Sequence, residues 1–157
     1  MATLFRFLFL IPLGFIAATV AAAFALLWPF LDPGALAASD PAYLAELAVG
    51  FLAQVAQIGS VVLLPWAVFM VATEVLGLSS ILLHVAAGFL GGIVLSLAAY
   101  GTRPPALSVQ TAIVVASLSF ALVYWIVAGH AAGRWRRRFR REPAPPVASP
   151  AEPPPLA

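Results

Sequence analysis

The chain has 157 residues, of which 63% are hydrophobic and 9% are charged. Soluble domains carry about 25% charged residues, so this composition leaves too little polar surface for a water-soluble fold. The chain contains no cysteine, which excludes disulfides and thiolate metal sites. The net charge of +2 hides an asymmetry, because six of the eight basic residues lie between Arg134 and Arg141.

Four segments are apolar over the roughly 20 residues that a transmembrane helix needs. They end at clusters of proline, glycine and charged residues, and they cover residues 7–28, 49–73, 79–100 and 107–129. Helices of soluble proteins have a polar face, and these segments have almost none. The sequence therefore predicts an all-α integral membrane protein, with a four-helix transmembrane bundle in residues 1–133 and a tail in residues 134–157.

The first segment has a second interpretation. Residues 1–25 carry Arg6, an apolar run and small residues near Ala23, which is also the pattern of a signal peptide. Cleavage would leave three spans. The apolar run continues through Trp28 and is long enough to cross a bilayer, so four spans are expected.

The distribution of arginine predicts the orientation. Arg6 precedes the first span, and the large arginine cluster follows the last. Because positive residues stay on the cytoplasmic side, both termini are expected there. The absence of lysine and the abundance of alanine, proline and glycine point to a bacterial source, so we expect the inner (plasma) membrane.

Small residues in the third span suggest a packing face. A row with a spacing of four residues comprises Ser80, His84, Gly88, Gly92, Ser96 and Tyr100. Small residues let helix backbones approach closely in membranes, so Gly88, Gly92 and Ser96 are predicted packing residues and the third helix is predicted to be central. The Gly88–Gly92 pair favours packing within the chain, with homodimerisation as the alternative.

Proline and glutamine interrupt two of the apolar spans. Pro12 and Pro65 each remove a backbone hydrogen bond within a helix. Gln54 and Gln57 lie three residues apart on the second span. They are expected to face protein and to form hydrogen bonds across helices, with a polar solute path as the alternative.

Ionisable residues give one candidate site. Glu74, His84 and His130 are all expected near the cytoplasmic face, and ionisable groups inside membranes are often functional. Two imidazoles and a carboxylate suit a proton relay or an ion site. Their spacing matches no metal motif, and a purely structural role for all three is the favoured interpretation. Haem ligation by His84 and His130 is disfavoured, and no cofactor is expected.

The tail is predicted to lie on the membrane surface. Its basic cluster consists of Arg134, Arg136, Arg137, Arg138, Arg140 and Arg141. Such a cluster binds anionic lipid headgroups and fixes the orientation of the last helix. Membrane tethering argues against nucleic-acid binding, and the Pro-rich remainder is expected to be disordered.

The sequence carries no recognisable catalytic motif. The leading hypothesis is a non-enzymatic scaffold or accessory subunit of a membrane complex, which packs on a larger membrane protein or on itself. The alternative is a small transporter or channel with a proton or metal site at Glu74, His84 and His130. These two hypotheses differ in what should co-purify, namely a larger partner or only further copies of the chain.

Overall fold

The computed structural model describes residues 2–32, 34, 36, 40–103 and 105–133. Four helices dominate it, and each is long and apolar enough to cross a membrane. This confirms the predicted all-α, four-helix fold. The arginine cluster and the Pro-rich tail lie outside the described residues.

Helix α1 covers residues 2–30 and changes its winding along its length. It consists of an α-helix at Ala2–Phe5, a π-helical turn at Arg6–Leu10, an α-helix at Ile11–Leu27 and a 3-10 turn at Trp28–Phe30. The π turn directly precedes Pro12, which has no N–H and crowds the carbonyl four residues earlier. The Ile11 N–H bonds to Arg6 O instead, so the helix widens by one residue there.

Helix α2, Pro41–Leu76, is the longest, with 36 residues. Asp40 caps it by accepting a hydrogen bond from Ala42 N at 3.0 Å, as N-cap residues do. Gly77 ends it at φ 71°, and Leu78 N bonds back to Thr73 O, in the manner of a glycine C-cap. The helix begins eight residues before the predicted span, because capping rather than hydropathy sets its start.

Helices α3 and α4 follow the predicted spans closely. Helix α3 is Ile81–Tyr100 and helix α4 is Leu107–Val127. A 3-10 turn, Gly129–Ala131, continues α4 towards the end of the bundle that holds Arg6. We call this end the Arg6 end and the opposite one the Asp40 end.

Helix α4, and not α3, is central. The most extensive contacts join α1 to α4 and α3 to α4, while α2 packs mainly on α1. The prediction of a central third helix is therefore wrong. Small residues line the contact between α1 and α4. Buried positions include Gly14, Ala18 and Ala22 on α1, and Ala112, Ala116 and Ala121 on α4.

Glycines of α3 meet α4 at close range. A Cβ on Gly88 would lie 2.6 Å from Ala121 Cβ, and a Cβ on Gly92 would lie 2.9 Å from Ser117 Oγ. A methyl group at Gly88 would require the two backbones to shift, and one at Gly92 would require Ser117 to move. The structure thus uses the Gly88–Gly92 pair within the chain, while Ser96, one turn further on, is half-buried.

Helix α2 is peripheral. Its only buried residues are Thr73 and Glu74. The Gln57 side chain is exposed and has no hydrogen-bond partner among the described residues. The expectation that Gln57 bonds across helices within the chain is therefore wrong, because α2 stands away from α3 and α4 at that level.

Candidate functional site

The clearest polar feature is an ion pair at the Arg6 end. Arg6 donates two hydrogen bonds to Glu74 Oε1, from Nη2 at 2.5 Å and from Nε at 3.1 Å. The side chains of Arg6 and Glu74 are only 12% and 5% exposed. The pair therefore joins the start of α1 to the end of α2 in a place with little water.

Two backbone groups complete this network. Arg6 Nη2 also donates to Ala128 O at 2.8 Å, and Gly133 N donates to Glu74 Oε2 at 2.9 Å. The carboxylate thus accepts three hydrogen bonds, and one guanidinium connects α1, α2 and the end of α4. Because buried charges are stable only when paired and hydrogen-bonded, the set acts as one unit. We call these four residues the Arg6–Glu74 clasp.

Two glycines make the clasp possible. Gly77 and Gly133 both have positive φ, 71° and 72°, which is a conformation that glycine adopts without strain. A Cβ on Gly133 would collide with the Cα of Gly77. The turn after α2 and the segment after α4 can therefore meet only as backbone against backbone.

His84 lies in α3, 1% exposed, and is the largest fully buried side chain of the described residues. Its Nδ1 bonds to Ser80 O at 2.9 Å. A carbonyl oxygen only accepts, so Nδ1 carries a proton in this hydrogen bond. Nε2 is buried and has no partner among the described residues.

Aromatic rings and one glycine surround His84. Phe69 meets the imidazole edge-on at 5.2 Å between ring centroids, and Tyr124 stacks on it at 6.2 Å. On a third side lies Gly129, where a Cβ would come within 2.7 Å of Nε2. The imidazole therefore fits a space that α2, α3 and the end of α4 shape together.

The three ionisable residues singled out by sequence each use a different partner. Glu74 binds Arg6 and Gly133, and His84 binds the Ser80 carbonyl. His130 is exposed, with Nδ1 3.3 Å from Trp125 O. Among the described residues, no group of three His, Cys, Asp or Glu side chains could hold a metal ion. The structure thus gives no geometric support to a shared relay or metal site.

A cavity of about 330 Å³ lies between the helices, and all four contribute to its wall. The space lies between α2 and the other helices, because bulky aromatic side chains prevent α2 from packing closely against them. The Trp66 ring packs edge-on against Tyr124, with 5.5 Å between ring centroids, and in a tilted arrangement against Phe15, with 4.5 Å between centroids. The wall is apolar apart from a few groups, among them His84 and Ser117.

Sequence reasoning missed Arg6, Ser117 and Gly129. A signal for Arg6 was present, since Arg6 and Glu74 are isolated opposite charges placed at the same membrane face. Gly129 and Ser117 had no such signal, because their roles depend on which helix faces them. The basic cluster, from Arg134 to Arg141, lies outside the described residues.

Comparisons with known proteins identify no relative: no family model, no curated protein and no solved structure matches the chain.

Proposed function

We propose that this protein is a non-enzymatic accessory subunit of a larger membrane protein, and that it docks through the Asp40-end half of α2. The observation that carries the proposal is the length of α2 together with its lack of cover. The other three helices pack around α4, whereas α2 has most of its surface free among the described residues.

The length of α2 exceeds what a bilayer requires. At 1.5 Å per residue, its 36 residues extend about 54 Å, compared with a hydrocarbon thickness of about 30 Å. At the average tilt of about 20° it still spans about 51 Å, and at 40° about 41 Å. Crossing the hydrocarbon layer takes about 21 residues at 20° and about 26 at 40°, so roughly 10 to 15 residues at the Asp40 end pass beyond it.

This overhanging part carries apolar side chains without cover. Leu44, Val49 and Leu52 are 43%, 67% and 65% exposed. Exposed apolar surface outside the hydrocarbon region is a common mark of a protein interface. In this position it favours docking against another protein over contact with lipid tails.

The exposed face of α2 also changes in character along the helix. Residues spaced three or four apart are all exposed, and in the Asp40-end half they are small or polar: Glu46, Gly50, Ala53, Gln57 and Ser60. Towards the Arg6 end the same face continues with Leu64 and Val68, which suit lipid. Small residues permit close approach of another helix, and a carboxamide gives it a hydrogen bond.

A helix of a different protein suits this face better than a second copy. In a two-fold symmetric dimer along this face, identical surfaces meet, and Glu46 would approach its own counterpart. Like charges at such a contact are unfavourable. The proposal therefore commits to a heterologous helix that offers a donor or acceptor to Gln57.

The same proposal places the protein in the bacterial inner membrane, with both termini in the cytoplasm. It rests on Arg6 and the basic cluster after α4, following the positive-inside rule. The chain has no cysteine, so an introduced cysteine is the only thiol that can react with a maleimide. Two exposed positions show on which side of the membrane each part lies: Thr102 in the loop between α3 and α4, and Leu4 near the N-terminus. Thr102→Cys should react with an impermeant maleimide in intact spheroplasts, and Leu4→Cys should react only after lysis.

A small transporter or channel remains the second hypothesis from sequence, and no observation in the structure favours it. Its three residues have separate partners, and the Glu74 carboxylate is held by Arg6. A proton carrier needs a group that can exchange its partner, whereas this carboxylate accepts three hydrogen bonds at once.

The docking proposal is tested by photocrosslinking in native membranes. A photoreactive amino acid replaces Ala53 or Gln57 on the proposed face. Leu90 on α3 serves as a control because it is also exposed, at 60%. We expect a single larger membrane protein to crosslink from the two α2 positions and not from Leu90. Gly50→Leu, which blocks close approach, should abolish that product while the protein remains folded.

Three results would contradict the proposal. Crosslinking to lipid alone from Ala53 and Gln57 would mean that the face is simply lipid-exposed. A product of twice the monomer mass would indicate a homo-oligomer. An unchanged product in Gly50→Leu, or the same product from Leu90, would show that capture is unspecific.

A further inference from the structure

The cavity between the helices opens sideways, between α2 and α3. These two helices have no extensive contact with each other, since α3 packs on α4 and α2 packs mainly on α1. Both supply wall residues, and α4 supplies the floor between them. Two of the wall residues, Pro65 on α2 and Val94 on α3, are exposed, Val94 at 62%. The cavity is therefore accessible from the side of the bundle.

The opening lies at the depth of the hydrocarbon layer. Along α3 the cavity extends from His84, three residues after the start of the helix, to Leu95, five residues before its end. At 1.5 Å per residue this is about 16 Å, compared with a hydrocarbon thickness of about 30 Å. What surrounds the opening in a membrane is therefore lipid tails and not water.

The cavity is long and narrow. Its volume of about 330 Å³, divided by the length of about 16 Å, gives a mean cross-section of about 20 Å², or about 5 Å across. An α-helix with its side chains is about 10–12 Å across, so a helix of another protein is too wide to enter. Gly91 contributes to the free space, because it lines the cavity and a Cβ there would meet no atom within 4 Å.

The wall offers a ligand almost no polar group. Ser117 Oγ donates to a carbonyl oxygen of its own helix. The side chains of His84 and Tyr124 are buried, and Trp66 is half-buried with its ring nitrogen buried as well. A water molecule needs two to four polar partners, and a charged group needs a counter-ion. An apolar occupant is the one that fits.

We propose that the cavity holds one acyl chain of a membrane phospholipid, whose headgroup stays at the membrane surface. Such a chain is thin, needs no polar partner and is present at the depth of the opening. It leaves one apolar surrounding for another, so the gain comes from packing and not from the hydrophobic effect. The wall of an unfilled space lacks contact atoms on one side, and the acyl chain supplies them. The inference does not depend on the docking proposal, because other residues of α2 line the cavity.

The test uses the full-length protein in vesicles of phosphatidylethanolamine and phosphatidylglycerol. A trace of phospholipid carries a photoreactive diazirine near the end of one acyl chain, and labelled residues are mapped by mass spectrometry. Ala116 lies midway along α4 in the cavity wall and is only 7% exposed. Leu90 lies midway along α3, outside the cavity, and is 60% exposed. Lipid around the bundle should label Leu90 alone, whereas an acyl chain in the cavity should label Ala116 as well.

Variants assign the labelling of Ala116 to the cavity. Gly91→Leu fills the space, so it should lose the labelling of Ala116 and keep that of Leu90. Ala86→Leu adds the same bulk at an exposed position of α3 and should keep both. Free stearic acid, added in excess over the protein, should leave the labelling of Ala116 unchanged.

Four results would overturn the proposal. Absence of label at Ala116 in the unmodified protein, with Leu90 labelled, would show that no acyl chain enters, and this needs no variant. Unchanged labelling of Ala116 in Gly91→Leu would place the acyl chain elsewhere. Equal loss in Ala86→Leu would show that the effect is not specific to the cavity. Displacement by stearic acid would identify the site as one for free fatty acids.

Discussion

Loss of one partner of the Arg6–Glu74 pair should strongly destabilise the bundle. In Arg6→Met the carboxylate of Glu74, only 5% exposed, keeps a single hydrogen bond, from Gly133 N. Removing one member of a buried ion pair costs about 3–5 kcal/mol, because the other charge stays buried without its partner. The substitution also removes the bond from Arg6 to Ala128 O, so we expect a loss of at least about 3 kcal/mol.

The assay is reversible unfolding in mixed micelles, titrated with a denaturing detergent and followed by circular dichroism. Arg103→Met is the matched control, since Arg103 is exposed in the loop between α3 and α4 and has no ion-pair partner among the described residues. It should change the free energy of unfolding by less than about 0.5 kcal/mol, as surface substitutions do.

The double variant Arg6→Met/Glu74→Met provides the sharper test. Once both charges are gone, no buried charge is left unpaired, and apolar replacement of an ion pair is often neutral or even stabilising. The double variant should therefore be more stable than Arg6→Met alone. The reasoning fails if Arg6→Met behaves like Arg103→Met, or if the loss in the double variant equals the sum of the losses in Arg6→Met and Glu74→Met measured singly.

Further predictions concern positions where the packing is tight. Gly88→Ala should destabilise the protein by about 1–3 kcal/mol through overpacking against α4. Gly91→Ala has open space around its Cβ, so it should be neutral or up to about 1 kcal/mol more stable, since alanine favours helix. Thermal unfolding of the two variants, compared with the unmodified protein, tests both expectations. His84→Ala should lose about 2–5 kcal/mol, the usual effect of emptying a filled core position, and near-wild-type stability would refute a packing role. Gly129→Ala should weaken the same region because its Cβ would press on His84 Nε2, and a variant with unchanged denaturation would show that the contact is loose. Gly77→Ala should cost about 1–2 kcal/mol from its positive φ, to be measured by the same titration.

The site was only partly predictable, because the sequence indicates how deep a residue lies in the membrane and does not indicate which residues it contacts. The sequence placed Glu74 and His84 near one membrane face, and it left a structural role open for both. It did not pair Glu74 with Arg6, 68 residues away, although their opposite charges suggested it. His130 was assigned to the same face, yet its ring is exposed and bonds to Trp125 O, since the 3-10 turn after α4 determines where its side chain lies.

The four apolar helices follow from sequence alone, because the length and transfer free energy of each segment are local properties. Which helix occupies the centre did not follow. In a membrane the lipid-facing side is as apolar as the packed side, so hydropathy does not reveal the buried face. Rows of small residues occur on α1, α3 and α4, and only the tertiary structure shows that α4 receives the other two. The same packing leaves α2 at the periphery and creates the cavity beside His84, because the bulk of Trp66 and its neighbours prevents closure.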